Sequence, residues 1–459
     1  MAFLKGSGYV EENNLSREVL VMSEKPAEKT TSTKATETVK KVRAIVRGLY
    51  QNAREAKEKG QFTAYTMTAC QYEEILNAMD IVPVWTENYA GLTAAKRDAE
   101  RFVLKAEAEG YSNVICGYVR VGLGFDALRK EMGKTPENAP DGGMVMPDLL
   151  LGCGSACDPR FKWYQALGRY MNVPTYSFDV IWPPVDADLD EVRNYYIRYQ
   201  REQFQGLVDF LERQTKKKLS HDRLWEAISR SNATWRKWWE VDQLRKAIPS
   251  PMPTEDHYNA MVPGFYCCGT QLAVDFYEEL YNEVKQRVDN KIGVVPEEKY
   301  RLLFGGGLPP WHTMWIFNYF ETLGAVFVME NAYRIYDPVE VPSHVKDPLD
   351  YLAWRTFLRW TQRYDMAKKR SGIATVERLL EYIEDYRIDG VVTHATKSCR
   401  ATTVGQIDWL HRLNEYTNIP SMQLISDIID VRDYSEAQWK AQIDAFVEAV
   451  EAHKRRTAR

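Results

Sequence analysis

No apolar run in the 459 residues approaches the roughly 18 that a membrane-spanning helix requires. The opening MAFLKGSGYVEENN lacks an apolar stretch of the signal-peptide kind. A cytoplasmic protein without a membrane partner is therefore expected. Neither sign of charge dominates, since 60 Lys and Arg stand against 64 Asp and Glu for a net charge of -4, and nothing in that balance favours a nucleic-acid partner. No G-x-x-x-x-G-K-[ST] phosphate loop is present, so the chain offers no evident ATP site of its own. Paired C-x2-C knuckles are also missing, which excludes a four-cysteine zinc ribbon. Cysteine itself is sparse: there are seven, an odd number scattered along a large chain. This argues for reduced thiols serving packing, metal binding or redox chemistry rather than disulfides.

What is present is ordinary globular composition, 45% hydrophobic and 27% charged, in a chain long enough for about three domains. Residues 1 to about 40 are polar and read as an exposed arm that becomes a helix near Val39. From Gln61, short apolar strand candidates alternate with amphipathic helices. The strands are read at Ile81 to Trp85, Val114 to Cys116, Leu149 to Leu151 and Thr175 to Phe178, with helices such as Ala94 to Glu109 and Lys162 to Met171 between them. This rhythm predicts a parallel sheet covered by helices. Long helical periods follow from Asp188 to about Asp289, interrupted by Pro249, Pro251 and Pro253. The strand and helix alternation then resumes at Arg301 to Phe304, Ala325 to Met329, Gly390 to Val392 and Ser421 to Ile425, closing on a helix from Ser435 to His453. The expected fold is α/β, with two open parallel-sheet Rossmann-like halves joined by a helical segment. The boundaries read as 1–60 for an N-terminal arm and helix, 61–186 for the first α/β domain, 187–295 for the helical connector and 296–459 for the second α/β domain. In such sheets the ligand crevice lies beyond the carboxyl ends of the strands.

Three cysteines fall at or just after strand candidates: Cys116 in NVICGYVR, Cys157 in LLLGCGSACDPR and Cys399 in VVTHATKSCR. Loops at strand ends can bring such distant thiols to one place, where soft sulfur ligands would suit an iron–sulfur cluster. Core packing is the alternative, because free Cys is among the most buried residue types. Packing is also the reading for the adjacent Cys267 and Cys268. Gly305 to Gly307 could let backbone approach a ligand or simply form a tight turn. His394, five residues before Cys399, is a candidate proton donor, with a hydrogen-bonded structural histidine as the alternative. Glu87, just past a strand candidate, could serve as acid or base if burial raises its pKa, or be a solvated loop carboxylate.

Five stretches in order carry a resemblance. These are Pro83 to Tyr89 as P-x-x-x-E-N-Y; Cys116, Tyr118 and Arg120 as C-x-Y-x-R; Cys157 five residues before Lys162-Trp163-Tyr164; His394 to Arg400 as H-A-x-x-S-C-[KR]; and Asp430, Arg432, Tyr434, Ser435, Glu436 and Gln438 at the end. From about Tyr65 to Val450 the sequence resembles the 2-hydroxyacyl-CoA dehydratase and benzoyl-CoA reductase family.

The resemblance implies a 4Fe-4S cluster held by Cys116, Cys157 and Cys399, with one iron position open to water or substrate. Cys153 is the competing second ligand, disfavoured by its distance from Lys-Trp-Tyr. It also implies a homologous second cluster-bearing subunit and a separate iron–sulfur activator that hydrolyses ATP. In the dehydratases a serine stands eighteen residues before the glutamate of the E-N-Y motif, whereas here that place holds Ala69 beside Thr68. The T-E-N-Y, GYVRVGLGFD and FKWYQALGRYMNVP segments look more like a cluster-bearing benzoyl-CoA reductase subunit. The expected activity is therefore that of an oxidoreductase, passing low-potential electrons to the ring of an aromatic acyl-CoA to give a cyclic dienoyl-CoA. His394 and Glu87 are its candidate proton handlers. The alternatives are a subunit of a 2-hydroxyacyl-CoA dehydratase acting by a ketyl radical, and a non-catalytic electron-relay or scaffold subunit.

Overall fold

Eight short strands make two all-parallel sheets. The first contains β1 (Thr63–Thr66), β2 (Val82–Trp85), β3 (Leu149–Cys153) and β4 (Thr175–Phe178) in the order β2-β1-β3-β4. The second contains β5 (Tyr300–Gly306), β6 (Ala325–Glu330), β7 (Gly390–Thr396) and β8 (Ser421–Ser426) in the order β6-β5-β7-β8. The two orders are the same pattern, so the α/β fold with two Rossmann-like halves is the architecture observed. In each half the chain leaves the inner strand β1 or β5 in one direction and returns on its other side at β3 or β7. That reversal opens a crevice at the carboxyl ends. This computed structural model describes residues 34–457 apart from Ala156 and Tyr336; the polar arm before residue 34 lies outside the described residues.

Strands β3, β6 and β7 are buried along their whole length. A sheet covered on both faces selects apolar runs, here Leu149 to Leu151, Ala325 to Met329 and Gly390 to Val392, which is why these segments are readable as strands. Two local readings differ. Val114 to Cys116 is not a strand: Val114 is 75% exposed, and Cys116 is the residue just before the helix Gly117–Met132. The helix read from Ala94 to Glu109 is instead two, Thr86–Ala95 and Glu100–Ala108, separated where Arg97 takes a left-handed backbone (φ 57°).

Between the sheets run four helices, Leu189–Thr215, His221–Leu244, Thr254–Tyr266 and Gln271–Asp289. The side chains of Asp188, Ser220 and Thr270 accept first-turn amides at three of their N-termini, satisfying donors that no helical carbonyl reaches. A buried ion pair between Arg245 and Glu330 ties this region to β6. The helix Pro348–Thr361 follows β6 in the chain, yet Leu349, Leu352, Ala353 and Phe357 join the core of the first half. Among the described residues no helix is long and apolar enough to cross a membrane.

The helix Gly117–Met132 is wedged between neighbours by its glycines. A Cβ on Gly122 would stand 1.9 Å from the Trp163 ring, and one on Gly124 would stand 1.8 Å from the Phe102 carbonyl oxygen. Trp163 belongs to the helix Asp158–Met171, so Gly122 sets the spacing of the two helices that follow Cys116 and Cys157. Gly124→Ala is expected to destabilise the fold by about 1–3 kcal/mol, because the obstructing atom is backbone and cannot rotate away. Gly48, in the helix Val42–Glu58, has open space around it, and Gly48→Ala should instead stabilise by roughly 0.5–1 kcal/mol. Urea unfolding midpoints of the two variants should therefore move in opposite directions.

Candidate functional site

The seven cysteines divide by exposure. Cys70, Cys153, Cys267 and Cys268 are buried, whereas Cys116, Cys157 and Cys399 are each partly exposed. Each of these three immediately precedes a helix: Gly117–Met132, Asp158–Met171 and Arg400–Thr403. Cys157 and Cys399 also occupy matching places in the two halves, in the loops that leave β3 and β7. The chain therefore presents two thiols at the carboxyl ends of β3 and β7 and a third, Cys116, in a loop bonded to that after β7, each at a helix start whose amides favour negative charge.

The three thiols lie within electrostatic reach of one another. Burial raises the Cys116 thiol above its ordinary value, and repulsion from Cys399 and Cys157 adds to this against the opposing first-turn amides. Cys157 is pushed up to about 11, by burial first, then by Glu87 and to a lesser degree by Cys399. Hydrogen bonds also cross between their loops. The Gly117 amide donates to Ser398 Oγ at 3.1 Å, and Arg400 meets Asp158 at 3.3 Å. Among the described residues no three His, Cys, Asp or Glu side chains are gathered closely enough to hold one metal ion. Three soft donors presented by separate loops instead suit a cluster, in which each thiolate takes its own iron.

An interlocked set of charges holds the Cys116 loop against the loop after β8. Arg120, 1% exposed, donates to Asp430 at 2.9 Å, to Glu107 at 3.0 Å and, through Nε, to the Ile115 carbonyl at 3.0 Å. Arg432 donates to the same two carboxylates. Burial pushes the Asp430 carboxyl up, but hydrogen bonds from Arg432 and Arg120 outweigh it and leave the group well below the usual carboxylate range. The arginine of C-x-Y-x-R and the acid of the final motif thus act as one clamp that positions Cys116.

Beside the thiols lies a cavity of about 190 Å³ whose walls include Glu87, Tyr118, Tyr258, Tyr266, Trp311 and Tyr333. Its lining residues are linked to each of the three. Tyr118 is two residues from Cys116, Glu87 acts electrostatically on Cys157, and Cys399 acts on Tyr333. The rings are locked together, with Trp311 Nε1 donating to the Tyr118 hydroxyl at 2.5 Å and that hydroxyl 2.8 Å from the Tyr333 hydroxyl. Such a cavity, apolar with a few converging polar groups, is what small-molecule sites are built from.

Glu87 meets this cavity directly. One carboxylate oxygen accepts the Thr68 amide at 2.8 Å, and the other lies 3.3 Å from Nε of Arg160. Arg160 is buried and donates to Ser155 Oγ at 3.1 Å and to Met67 Sδ at 3.2 Å. Ala69, at the place where a dehydratase-like serine is expected, has a left-handed backbone (φ 54°). The neighbouring Thr68 hydroxyl is engaged with the Tyr266 hydroxyl at 2.9 Å.

His394 lies elsewhere. It is fully buried in β7, is not among the residues lining the cavity, and has both ring nitrogens engaged. Nδ1 is 2.6 Å from the Leu308 carbonyl and Nε2 is 2.9 Å from Ser426 Oγ. The carbonyl can only accept, so Nδ1 carries the proton. Burial lowers the ring pKa to about 4, leaving it neutral at pH 7. Gly307 packs against the His394 carbonyl, where a Cβ would come within 1.8 Å. The Gly305 to Gly307 stretch therefore serves a tight contact between β5 and β7.

Sequence reasoning does not reach Arg160, Tyr333, Trp311 or Glu255, all of which line or brace the cavity. Arg160 alone leaves a trace, standing three residues after Cys157 where its amide and its charge both face that thiol.

Comparison with known proteins accords with this arrangement. A family model described as 2-hydroxyglutaryl-CoA dehydratase, D-component, matches residues 70–450. The chain is 26% identical to the alpha subunit of (R)-phenyllactyl-CoA dehydratase from Clostridium sporogenes, over 90% of this chain and 95% of that protein. It is 25% identical to the alpha subunit of (R)-2-hydroxyglutaryl-CoA dehydratase from Acidaminococcus fermentans, over 90% and 97%. Identity is also 25% with a subunit of the benzoyl-CoA reductase of Thauera aromatica, over 90% and 94%.

Proposed function

Given that the chain belongs to the 2-hydroxyglutaryl-CoA dehydratase D-component family, we propose that it is the iron–sulfur subunit of a benzoyl-CoA reductase. Its substrate would be an aromatic acyl-CoA, whose ring gains two electrons and two protons to become a cyclic dienoyl-CoA. Cys116, Cys157 and Cys399 would hold a 4Fe-4S cluster, which when bound supplies low-potential one-electron chemistry and an open coordination position. The partners would be a homologous second cluster-bearing subunit and an iron–sulfur activator that hydrolyses ATP, in keeping with relatives that are named as subunits.

The observation that carries this reading is the aromatic-walled cavity whose lining includes Glu87 and Tyr333, which interact electrostatically with Cys157 and Cys399. Tyr118, Trp311 and Tyr333 would flank a planar ring and keep water from it. Glu87, positioned by the Thr68 amide and Arg160, is the proposed proton handler on the cavity wall. Proton transfer from His394 would have to run through Ser426 or Thr396, its hydroxyl neighbours. Ala69 offers no side-chain hydroxyl to orient the 2-hydroxyl of an aliphatic substrate, which favours ring reduction over dehydration.

Dehydration of a 2-hydroxyacyl-CoA is the second reading, favoured by the two dehydratase alpha subunits whose identity and coverage match or exceed those of the reductase subunit. The two separate in an anaerobic assay of the chain with its partners, reductant and ATP. Benzoyl-CoA should be consumed with formation of a dienoyl product. Turnover confined to 2-hydroxyacyl-CoA esters would transfer the assignment to the dehydratases.

A further inference from the structure

One wall of the cavity carries polar groups that the proposed reaction leaves unused. Glu255 and Tyr258 stand three residues apart in the helix Thr254–Tyr266, and both line the cavity, as the helical repeat allows for side chains on one face. Both oxygens of Glu255 and the hydroxyl of Tyr258 are closed off from solvent and have no hydrogen-bond partner among the other described residues, the only amide acting on the Glu255 carboxyl being its own. Tyr258 is 1% exposed. Three orphaned polar atoms on one apolar wall are costly, since buried polar groups in folded proteins nearly always find partners. Their neighbours do not supply them: Asp256 is turned to the Thr36 amide at 2.6 Å, and Glu330 is paired with Arg245.

This wall is separate from the Glu87 wall. Glu87 faces Arg160 and Cys157, whereas Glu255 feels Glu321, Asp256 and Glu330. Burial first, and repulsion from Glu321 next, push the Glu255 carboxyl up to about 8. At pH 7 it is thus a neutral acid with one O–H to donate and one oxygen to accept. The Tyr258 hydroxyl on the same cavity wall also works both ways. The ligand group that answers such a pair is itself both donor and acceptor, and uncharged.

We propose that Glu255 and Tyr258 form a specificity subsite for a hydroxyl group on the substrate's acyl moiety, so that the preferred ligand is a hydroxyaryl thioester rather than the unsubstituted aryl thioester. The inference deepens, and rests on, the reading of the cavity as the acyl pocket. An ammonium group would suit an ionised Glu255, but the neutral acid and the phenol on the same wall favour the hydroxyl.

Equilibrium binding tests it, with calorimetric titration of the full chain and its copurifying partner under anaerobic conditions. The titrants are benzoyl-CoA, ring-hydroxylated benzoyl-CoA esters and an aliphatic 2-hydroxyacyl-CoA. At least one ring-hydroxylated ester should bind about tenfold or more tightly than benzoyl-CoA, because a site built to bond a hydroxyl leaves its own groups unpaired without it. In Glu255→Leu and Tyr258→Phe that ratio should fall, to within about twofold in the double variant, and Glu255→Gln should retain most of it. Circular dichroism melting of each variant separates loss of selectivity from loss of fold, and Tyr258→Phe removes a single oxygen should Glu255→Leu fail to fold. Equal binding of the hydroxylated and plain aryl esters by the unmodified protein would overturn the subsite, as would a preference that survives the double variant. Failure of every thioester to bind would instead overturn the acyl-pocket reading itself.

Discussion

Under the proposed cluster assignment, Cys399→Ser is expected to strip the protein of iron, lowering its affinity for the metal on the order of a hundredfold or more. Even residues that merely support a metal ligand cost tenfold to a hundredfold when replaced. A serine oxygen is a hard donor where iron–sulfur chemistry takes a soft one. The same result is expected for Cys116→Ser and Cys157→Ser, and acyl-CoA turnover should fall with the iron. Cys267→Ser is the control: its thiol is buried, with burial as the cause of a pKa pushed up to about 12, and the variant should keep its iron. Iron and sulfide analysis together with visible absorption of anaerobically purified protein provides the measurement. Iron retained in Cys399→Ser, or lost from Cys153→Ser in place of Cys157→Ser, would redraw the ligand set. Intact assembly in a variant without iron or turnover would favour a catalytic role for the centre, and collapse of assembly a structural one.

Arg120→Leu should be among the most damaging single substitutions for stability. It leaves Asp427, 1% exposed, without the guanidinium that faces it, and Asp430, 7% exposed, with that of Arg432 alone. Removing one partner of a buried ion pair typically costs about 3–5 kcal/mol. The Cys116 loop should loosen as well, because Nε of Arg120 holds the Ile115 carbonyl. The sign of the pH dependence follows from Asp430, whose folded-state pKa is depressed. Its contribution is complete above the ordinary carboxylate value of about 3.9 and is lost as pH falls through the lower folded value. The gap in urea stability between the unmodified protein and Arg120→Leu should therefore be widest near neutrality and narrow in acid. Asp427→Asn in the Arg120→Leu background should recover part of the loss at pH 7 by removing the stranded charge. A gap that is constant with pH would mean that packing of the arginine stem, rather than its charge, holds the loop.

Most strands are legible because parallel sheets bury both faces and so select unbroken apolar segments such as Leu149 to Leu151 and Ala325 to Met329. Thr63–Thr66 escapes such a reading: its fully buried T-A-Y-T carries two threonines, and polarity hides the burial. Val114 to Cys116 misleads in the opposite sense, since three apolar residues in a row are too few to tell a strand from an exposed turn. The break at Arg97 has no signature either, because a left-handed non-glycine backbone is imposed by packing rather than by the residue's own preference.

The amino-acid order by itself determines the α/β class, the two parallel-sheet halves and the candidate thiols, since periodicity, loop position and motif spacing are properties of the chain taken a few residues at a time. Only the tertiary structure decides that Cys116, Cys157 and Cys399 sit partly exposed at helix starts while the other four cysteines are buried. The same is true of Arg120, which meets an acid 310 residues away, and of Glu255 and Tyr258, which turn unpaired oxygens into an aromatic cavity. Burial and pairing are sums over the whole fold, and a residue's chemistry here depends on neighbours that the sequence does not place beside it.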